Sequence, residues 1–303
     1  LGQGALSQYV SSINGFAQNA VSIAAGNEGA ARHHYGGRLE AGEGIETVEL
    51  RVGEDTEGFT LEFWGETPEE YLVSLQSPIG EVLEVCASLG SGEQELTFVF
   101  VETRVLVNYV EVERQTGFTL IYFRFLNPAA GIWKFLVQGR GNRGAFFHMW
   151  LPVQGLIPSD TFFLASSPDT TITAPGDSAD CITATAYRAR DNSLYLEASR
   201  GYLPDGTVKP TLSLPGVEVK AAIPGGGYGI ASGTSLAAAQ NAGISALLFE
   251  WALLRNNEPY YNGNNVRYDL VRGAGRDENR PYPNAEWGYG RVDLYRTFEL
   301  LGG

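Results

Sequence analysis

The residues of this sequence that could carry out chemistry begin with Ser235, in the stretch 232–243 that reads Ser-Gly-Thr-Ser-Leu-Ala-Ala-Ala-Gln-Asn-Ala-Gly. Small residues followed by good helix formers predict a tight turn that places Ser235 at a helix N-terminus. The unbonded N–H groups and the dipole of such a terminus favour negative charge. A serine there can attack a carbonyl carbon, and the adjacent N–H groups can stabilise the resulting oxyanion. The alternative is that Ser235 only caps a buried helix.

A second candidate, Asn27, lies far earlier in the chain, where residues 21–29 read Val-Ser-Ile-Ala-Ala-Gly-Asn-Glu-Gly. This apolar, strand-like run stops abruptly at Gly26 and Asn27. An asparagine amide at the end of a strand can donate a hydrogen bond to an oxyanion. Taken alone, the same asparagine is more typical of a turn. It is the pairing with Ser235 that favours a catalytic interpretation.

The two motifs Ala-Ala-Gly-Asn-Glu-Gly and Gly-Thr-Ser-Leu-Ala-Ala together resemble the subtilisin-like serine proteases, the subtilases of peptidase family S8. The resemblance extends from Leu1 to about His34 and from about Pro158 to the end. It implies that Ser235 is the catalytic nucleophile and Asn27 the oxyanion-hole asparagine. The implied activity is peptide-bond hydrolysis through an acyl-enzyme, with a protein or peptide as substrate and no cofactor.

The resemblance also assigns substrate-binding residues. Leu1 and Gly2 correspond to the end of the strand that binds substrate. The other wall of the primary specificity pocket is assigned to Ala24, Ala25 and Gly26.

The general base that Ser235 requires is the part of the site that the sequence does not supply. A serine hydroxyl is a weak nucleophile until a histidine, oriented by a carboxylate, removes its proton. The family provides that Asp and His upstream of the two motifs, so an incomplete triad and an inactive isolated chain are expected. His33 and His34 are weaker candidates for the base, because they follow the oxyanion loop closely enough to lie near the site. His148 is weaker still, since a lone histidine in an apolar run is more often a core residue.

A pseudoprotease is the alternative function. Such a protein would keep the scaffold and use it for binding or regulation, and some relatives have lost triad residues. Ser235 and Asn27 argue against this, because a site relieved of catalysis has no chemical need for either residue.

Two kinds of element must position these residues. Apolar positions in 5–20 recur with a period near 3.6, which predicts a helix that feeds the strand beginning at Val21. From about Arg38 to Leu156 the pattern changes to alternating runs separated by Gly, Pro, Asn and Glu clusters, which predict an antiparallel sandwich, jelly-roll-like. The predicted strands are 47–52, 59–64, 71–76, 82–87, 95–101, 105–113, 118–125, 132–138 and 145–151.

The predicted fold class is therefore α/β, with a partial subtilisin-like parallel-sheet core interrupted by an inserted all-β domain. Residues 1–34 are assigned to the first part of the core, 35–157 to the insertion, and 158–303 to the second part, which contains the nucleophile. An insertion directly after the oxyanion asparagine resembles the clostridial Csp-type germination proteases. The segment 282–295, Tyr-Pro-Asn-Ala-Glu-Trp-Gly-Tyr-Gly-Arg-Val-Asp-Leu-Tyr, resembles the same group.

The composition excludes several partners. With 21 Lys and Arg against 35 Asp and Glu, the net charge of −14 disfavours nucleic acid. The sequence contains no wholly apolar window of about twenty residues, so no membrane-spanning helix is predicted. A core that lacks central strands is expected to self-associate or to depend on a missing N-terminal part. The compartment is left open, with an extracellular or spore-associated location favoured over an ordinary cytoplasmic one.

Three further groups of residues have two interpretations each. Glu28, Asp177 and Asp180 could bind Ca²⁺, but solvated loop carboxylates are favoured, so no metal site is predicted. Cys86 and Cys181 fall in different predicted domains and are expected to be buried without a disulfide. The tryptophans of the insertion could line a carbohydrate groove, although aromatic residues that alternate in strands are more often core; they include Trp64, Trp133 and Trp150.

Overall fold

The computed structural model of the chain describes residues 2–42, 44–86, 92–141 and 144–302. These residues form two compact units. The core unit comprises Leu1–Ala30 and Pro168–Gly303, and the β unit comprises Ala31–Ser167. Among the described residues, no helix has the length and apolarity needed to cross a membrane.

The elements are numbered here in chain order. The helices are α1 (Ala5–Gly15), α2 (Thr234–Phe249), α3 (Gly263–Gly273) and α4 (Leu294–Gly302), with a π-helical turn at Glu250–Leu254 after α2. The strands are β1 (Ser22–Ala24), β2 (His34–Leu39), β3 (Ile45–Val52), β4 (Gly58–Gly65), β5 (Tyr71–Gln76), β6 (Val82–Glu84), β7 (Glu93–Thr97), β8 (Arg104–Val110), β9 (Thr119–Leu126), β10 (Gly131–Gly139), β11 (Ala145–Trp150), β12 (Phe162–Phe163), β13 (Ile182–Arg188), β14 (Ser193–Leu194), β15 (Leu212–Pro215), β16 (Val219–Ala222) and β17 (Tyr228–Ala231).

The core unit is built on the short parallel pairs that β13 makes with β1 and β15. The first five residues of β13, Ile-Thr-Ala-Thr-Ala, are all buried, as expected for a strand covered on both faces. Helix α2 packs on this sheet, and the helix core continues through Leu248, Val266 and Leu270. The amphipathic pattern of 5–20 gives helix α1, which ends at Gly15. The arrangement places the C-terminal end of β1 beside the beginning of α2.

The β unit is the predicted antiparallel sandwich. A five-stranded sheet has the order β12-β3-β10-β5-β6, and a six-stranded sheet has the order β2-β11-β4-β9-β8-β7. All nine predicted strand segments contain strands, and the short strands β2 and β12 add to them. The inner faces share one apolar core, in which Phe123 of β9 meets Phe135 of β10 edge to face at 5.4 Å between ring centroids. Alternation with a period of two therefore buries one face of each sheet.

The tryptophans of the β unit divide between core and surface. Trp133 is fully buried, whereas Trp64 and Trp150 are half-buried on the outer face of the six-stranded sheet. The cysteines also differ. Both are free thiols, but Cys86 is exposed, so the expectation that both are buried holds only for Cys181. Cys86 follows the three-residue edge strand β6, which ends at Glu84 before the chain can bury it.

Lys209 is a fully buried cation in the core unit. Its Nζ donates to the carbonyl oxygen of Cys181 at 3.0 Å and lies 3.1 Å from the hydroxyl oxygen of Thr183. The hydroxyl of the nearby Thr211 accepts a hydrogen bond from the Thr183 N–H at 3.1 Å. No carboxylate lies within 4.0 Å of Lys209 among the described residues. Burial lowers the pKa of Lys209 to about 8.

Lys209 is expected to make stability rise with pH in alkaline solution. Between pH 8 and about 10.4 the unfolded chain binds the lysine proton and the folded chain does not, so the free energy of unfolding increases with pH. Below pH 8 both states are protonated, and the full penalty of about 3 kcal/mol remains. Lys209→Met removes this penalty and should therefore gain its largest stability relative to wild type at pH 7, with the difference shrinking by pH 10.

Urea denaturation of both proteins at several pH values measures this difference. Lys134→Met is the matched control, since Lys134 is exposed and paired with Glu49 at 3.1 Å. A difference between Lys209→Met and wild type that stays constant from pH 7 to 10 would contradict the buried-cation interpretation.

Candidate active site

Ser235 is the second residue of α2 and its side chain is exposed. The chain enters the helix through Gly233, whose φ of +150° a residue with a side chain rarely adopts. The Gly233 N–H donates to the carbonyl oxygen of Gly216 at 2.8 Å, which fixes the turn. Within the described part of the chain, the Ser235 N–H donates to no backbone carbonyl outside the helix. This N–H is therefore one of the unbonded donors expected at a helix N-terminus.

Asn27 lies just beyond the end of β1 and is held by Thr234, the residue before Ser235. Its Oδ1 accepts a hydrogen bond from the Thr234 N–H at 3.1 Å and lies 3.2 Å from the Thr234 hydroxyl. That hydroxyl also lies 3.1 Å from the carbonyl oxygen of Gly26 and 3.2 Å from its N–H. Because a backbone N–H needs an acceptor, these contacts determine which end of the amide is oxygen. The Asn27 Nδ2 is consequently directed away from Thr234.

The two donors converge on one point beside Gly233. A Cβ placed on Gly233 would lie 3.6 Å from the Asn27 Nδ2 and 3.9 Å from both the Asn27 Oδ1 and the Ser235 nitrogen. The absence of a side chain at this position leaves space between them. Two N–H groups that lie near one point beside a serine can bind an oxyanion there.

Ala24, Ala25 and Gly26 continue from β1 along the same edge. The Ala25 N–H donates to the carbonyl oxygen of Ala184 at 3.0 Å, which extends the parallel pairing by one residue. The Ala25 carbonyl accepts from the Thr173 N–H at 3.0 Å. Ala25 itself is fully buried, while Ala24 and Gly26 are half-buried.

Gly2 lies against the segment that also meets Ala24. Its N–H donates to the Asp177 carboxylate at 2.8 Å, and a Cβ on the preceding Gly176 would lie 2.8 Å from the Ala24 carbonyl oxygen. Segments that are distant in sequence therefore meet at Gly176 and Asp177. Leu1, the other residue assigned to the substrate-binding strand, lies outside the described residues.

Gly26 is required by its conformation and by its surroundings. Its φ is +104°, and an added Cβ would lie 2.5 Å from the Thr173 hydroxyl oxygen and 2.7 Å from the Ser199 hydroxyl oxygen. Gly26→Ala is expected to cost about 2–5 kcal/mol of stability, combining backbone strain and overpacking, and to displace Asn27. Thermal or urea denaturation measures the loss.

Gly225 provides the matched control for this substitution. It also has a positive φ, +84°, but nothing lies within 4 Å of an added Cβ. Gly225→Ala should therefore cost only the backbone term, about 1–2 kcal/mol. Equal losses for the two variants would show that the contacts with Thr173 and Ser199 do not restrict Gly26.

Two of the three carboxylates considered as Ca²⁺ ligands are buried and not solvated as expected. Asp177 and Glu28 are buried, so the expectation of solvated loop carboxylates is wrong for both, whereas Asp180 is exposed. Asp177 accepts hydrogen bonds from the Gly2 N–H at 2.8 Å and the Ser7 hydroxyl at 2.7 Å. Over the described residues, no group of three metal-binding side chains is found. Asp177 therefore anchors the start of the chain through contacts that span about 170 residues of sequence.

All three histidines belong to the β unit, and the sequence of the core unit contains none. His34 of β2 and His148 of β11 stack at 5.2 Å between centroids, with 3.0 Å between the His34 Nε2 and the His148 Nδ1. Both rings also stack on Trp150. Burial lowers the pKa of His148 to about 4, so this imidazole is neutral at pH 7. His33 is buried.

Sequence reasoning overlooked the residues that fix the candidate site. Thr234 joins Asn27 to α2, and Asp177 joins Gly2 to the segment behind Ala24. The partners in these contacts are 207 and 175 residues apart. Thr234 lies in the recognised Gly-Thr-Ser motif, but the motif alone gives no indication of its partner. For Asp177 no local signal exists.

The comparisons with a family model, a curated sequence and a solved structure agree with one another. The sequence model of the subtilase family, Peptidase S8, matches residues 85–290, which include Ser235. Pyrolysin from Pyrococcus furiosus is 32% identical over 111 residues, which amount to 34% of this chain and 8% of pyrolysin.

A solved structure covers the whole chain. The CspB protease of Clostridium perfringens superposes with a TM-score of 0.91 at 30% sequence identity, over 100% of this chain and 63% of the CspB chain. The chain thus spans less than two thirds of the length of either relative.

Proposed function

Because this chain belongs to the subtilase family, we propose that it supplies the nucleophile and the oxyanion hole of a serine endopeptidase of the Csp type. Its substrates are proteins or peptides. The observation that carries the proposal is the convergence of the Asn27 Nδ2 and the Ser235 nitrogen within 4 Å of one point beside Gly233. A serine at a helix N-terminus next to two convergent N–H donors is suited to acyl transfer.

In this mechanism the Ser235 hydroxyl oxygen attacks the carbonyl carbon of the peptide bond while a base takes its proton. The carbonyl oxygen becomes an oxyanion that accepts hydrogen bonds from the Ser235 N–H and the Asn27 Nδ2. The C–N bond then breaks, the amine leaves with the proton from the base, and an acyl ester on Ser235 remains. Water, activated by the same base, hydrolyses the ester.

The walls proposed for substrate binding follow from the same geometry. Gly2, Ala24, Ala25 and Gly26 belong to two segments that meet at Gly176 and Asp177. We assign the substrate chain to the space between them, and Leu1, which lies outside the described residues, stays a predicted member of the same binding site. The buried Asp177 supports this wall by binding the Gly2 N–H and the Ser7 hydroxyl.

The base and its orienting carboxylate are proposed to come from outside the core unit. The sequence of this unit contains no histidine, and CspB, as a longer chain, has residues that this chain does not cover. We therefore expect residues 1–303 alone to be inactive. The catalytic Asp and His would come from another part of the same gene product.

Intact-mass analysis with a fluorophosphonate probe tests the proposal, because such probes form a stable ester with an activated serine. The complete gene product should gain one adduct, located at Ser235 by peptide mapping, and its Ser235→Ala variant should gain none. Residues 1–303 alone should remain unlabelled. Labelling of that fragment would instead indicate a base within the β unit, among His33, His34 and His148.

The pseudoprotease is the alternative outcome of this experiment. A complete gene product that folds, contains Ser235 and gains no adduct would overturn the protease proposal. A role in binding or regulation would then be the better explanation of the hydrogen bonds between Asn27 and Thr234.

A further inference from the structure

The outer face of the six-stranded sheet in the β unit carries a row of polar and aromatic side chains that the proposed protease site does not use. One residue from each of five neighbouring strands lies at the same register. In order across β11, β4, β9, β8 and β7, the row consists of Trp150, Glu62, Tyr122, Asn108 and Glu93. We refer to these five residues as the Glu62 row.

Glu62 is an exposed carboxylate surrounded by aromatic rings. Trp150 and Tyr122 are its cross-strand neighbours on either side. Trp64, two residues further along β4 on the same face, donates its indole N–H to the Glu62 Oε2 at 2.8 Å. This hydrogen bond holds the carboxylate beside the indole ring. Directly opposed side chains on neighbouring strands lie about 5 Å apart, so the rings and the carboxylate form one continuous surface.

No cation in the described chain neutralises this carboxylate. Neither an ion pair to Glu62 nor a cation over the rings of Trp64 and Tyr122 occurs among the described residues. The β unit as a whole has 19 Asp and Glu against 9 Lys and Arg, and so contributes −10 of the net charge of −14. An exposed carboxylate next to aromatic faces, in a unit of excess negative charge, is complementary to an organic cation.

The two adjacent rows contain one charged basic side chain at pH 7, that of Arg124. On one side lie His148, Trp64, Leu120 and Val110 in register, and burial keeps the His148 imidazole neutral at pH 7 by lowering its pKa to about 4. On the other side Arg124 lies in register with Leu106, which is in register with Glu95. Glu95 is paired with Arg104 of the next row at 3.3 Å, whereas Arg124 has no ion pair among the described residues.

We propose that the Glu62 row is a docking surface for a basic, extended polypeptide segment. The ammonium or guanidinium group of one basic residue lies between Trp64 and Tyr122 against the Glu62 carboxylate. A second basic residue reaches Glu93 at the far end of the row, and Asn108 offers hydrogen bonds between them.

The spacing of the two carboxylates specifies the segment. Glu62 on β4 and Glu93 on β7 are three strands apart, or about 14 Å at the usual spacing between strands. An extended peptide covers that distance in about four residues, and its residues i and i+4 point to the same side. A Lys-x-x-x-Lys or Arg-x-x-x-Arg pattern therefore fits both carboxylates.

Peptide binding to the whole chain tests this proposal. The Ser235→Ala background prevents cleavage of the probe during titration. The probe is an N-acetylated, C-amidated nonapeptide with lysine at positions 3 and 7 in a Ser/Thr background, and the reference peptide has glutamine at both positions. Isothermal titration at low ionic strength should show binding of the lysine peptide only, with weakening as salt is added.

Single substitutions then locate the site. Glu62→Gln keeps an acceptor for the Trp64 N–H but removes the negative charge. It should weaken binding of the lysine peptide about tenfold, because the lysine ammonium loses its ion pair and is held less firmly against the aromatic rings. Arg124→Gln should strengthen binding a few fold, because it removes a like charge from the adjacent row. The matched control is Glu49→Gln on the outer face of the five-stranded sheet, which should leave binding unchanged.

Several results would overturn the proposal. These are the absence of lysine-peptide binding, equal binding of the glutamine peptide, or an affinity unaffected by Glu62→Gln. Binding of a neutral oligosaccharide that competes with the lysine peptide and is insensitive to Glu62→Gln would identify the face as a carbohydrate site instead. The fluorophosphonate result at Ser235 is not affected by any of these outcomes, so the two proposals fail separately.

Discussion

Replacing Ser235 by alanine is expected to lower kcat of the complete protease by about 10⁶-fold, because the acyl-enzyme cannot form without its hydroxyl. Ser235 is exposed at the second position of α2, and its own nitrogen and the Asn27 Nδ2 both lie within 4 Å of one point beside Gly233. The fold should be unaffected, since the side chain makes no described packing contact in the core. The measurement is the cleavage rate of a peptide or protein substrate by the full gene product.

Ser232 provides the control for this experiment. It is three residues away and its hydroxyl accepts a hydrogen bond from the Glu218 N–H at 3.0 Å, so Ser232→Ala should retain most of the activity. Thermal denaturation of both variants separates a lost nucleophile from a lost fold. If Ser235→Ala cleaved at the wild-type rate, another nucleophile would carry the reaction.

Replacing Asn27 by alanine is the second large effect, an expected loss of about 10²–10³ in kcat with KM little changed. The reason is that the Nδ2 donor is used when the oxyanion forms, not when the substrate binds. Alanine also removes the acceptor for the Thr234 N–H, which lies 3.1 Å from the Asn27 Oδ1. Asn27→Ala would therefore lose activity for two reasons, the missing oxyanion donor and the lost contact with Thr234.

Asn27→Asp separates those causes. Aspartate keeps an oxygen for the Thr234 N–H and hydroxyl but replaces the second donor by a carboxylate oxygen. A loss in kcat similar to that of Asn27→Ala, with an unchanged melting temperature, supports the oxyanion role. Thr234→Val tests positioning, because it removes the hydroxyl between Asn27 and Gly26 while leaving every donor to the substrate in place. Full activity in Asn27→Asp would contradict the role assigned to the amide.

The two largest effects and the docking proposal depend on different parts of the chain. Ser235 and Asn27 belong to the core unit, and Glu62 belongs to the β unit. Glu62→Gln should therefore leave fluorophosphonate labelling unchanged while lowering affinity for a basic segment. A substrate that carries a Lys-x-x-x-Lys segment away from the cleavage site would show the change in KM and not in kcat.

The sequence by itself determined the local elements and the type of chemistry. Alternation in nine runs predicted the strands of the β unit, and helical spacing predicted α1. An element with one face in water and one face buried has apolar residues at regular intervals, so its type can be recognised from the sequence. The motifs around Asn27 and Ser235 identified the family because the conformations they need, such as φ of +104° at Gly26, admit few residue types. Domain boundaries at 34 and 157, and the missing base, remain predictions.

Only the tertiary structure decided which residues position Asn27 and Gly2, and which aromatic residues lie on the outer face of the β unit. The bonds from Thr234 to Asn27 and from Asp177 to Gly2 join residues 207 and 175 positions apart, and no local pattern records such contacts. The expectation that Asp177 is a solvated carboxylate is wrong because the partners that bury it are distant in sequence. Trp133 and Trp64 have similar sequence surroundings, but the register of each strand places one in the core and the other beside Glu62. Strand register depends on pairing between distant segments, and a shift of one residue would exchange the two faces.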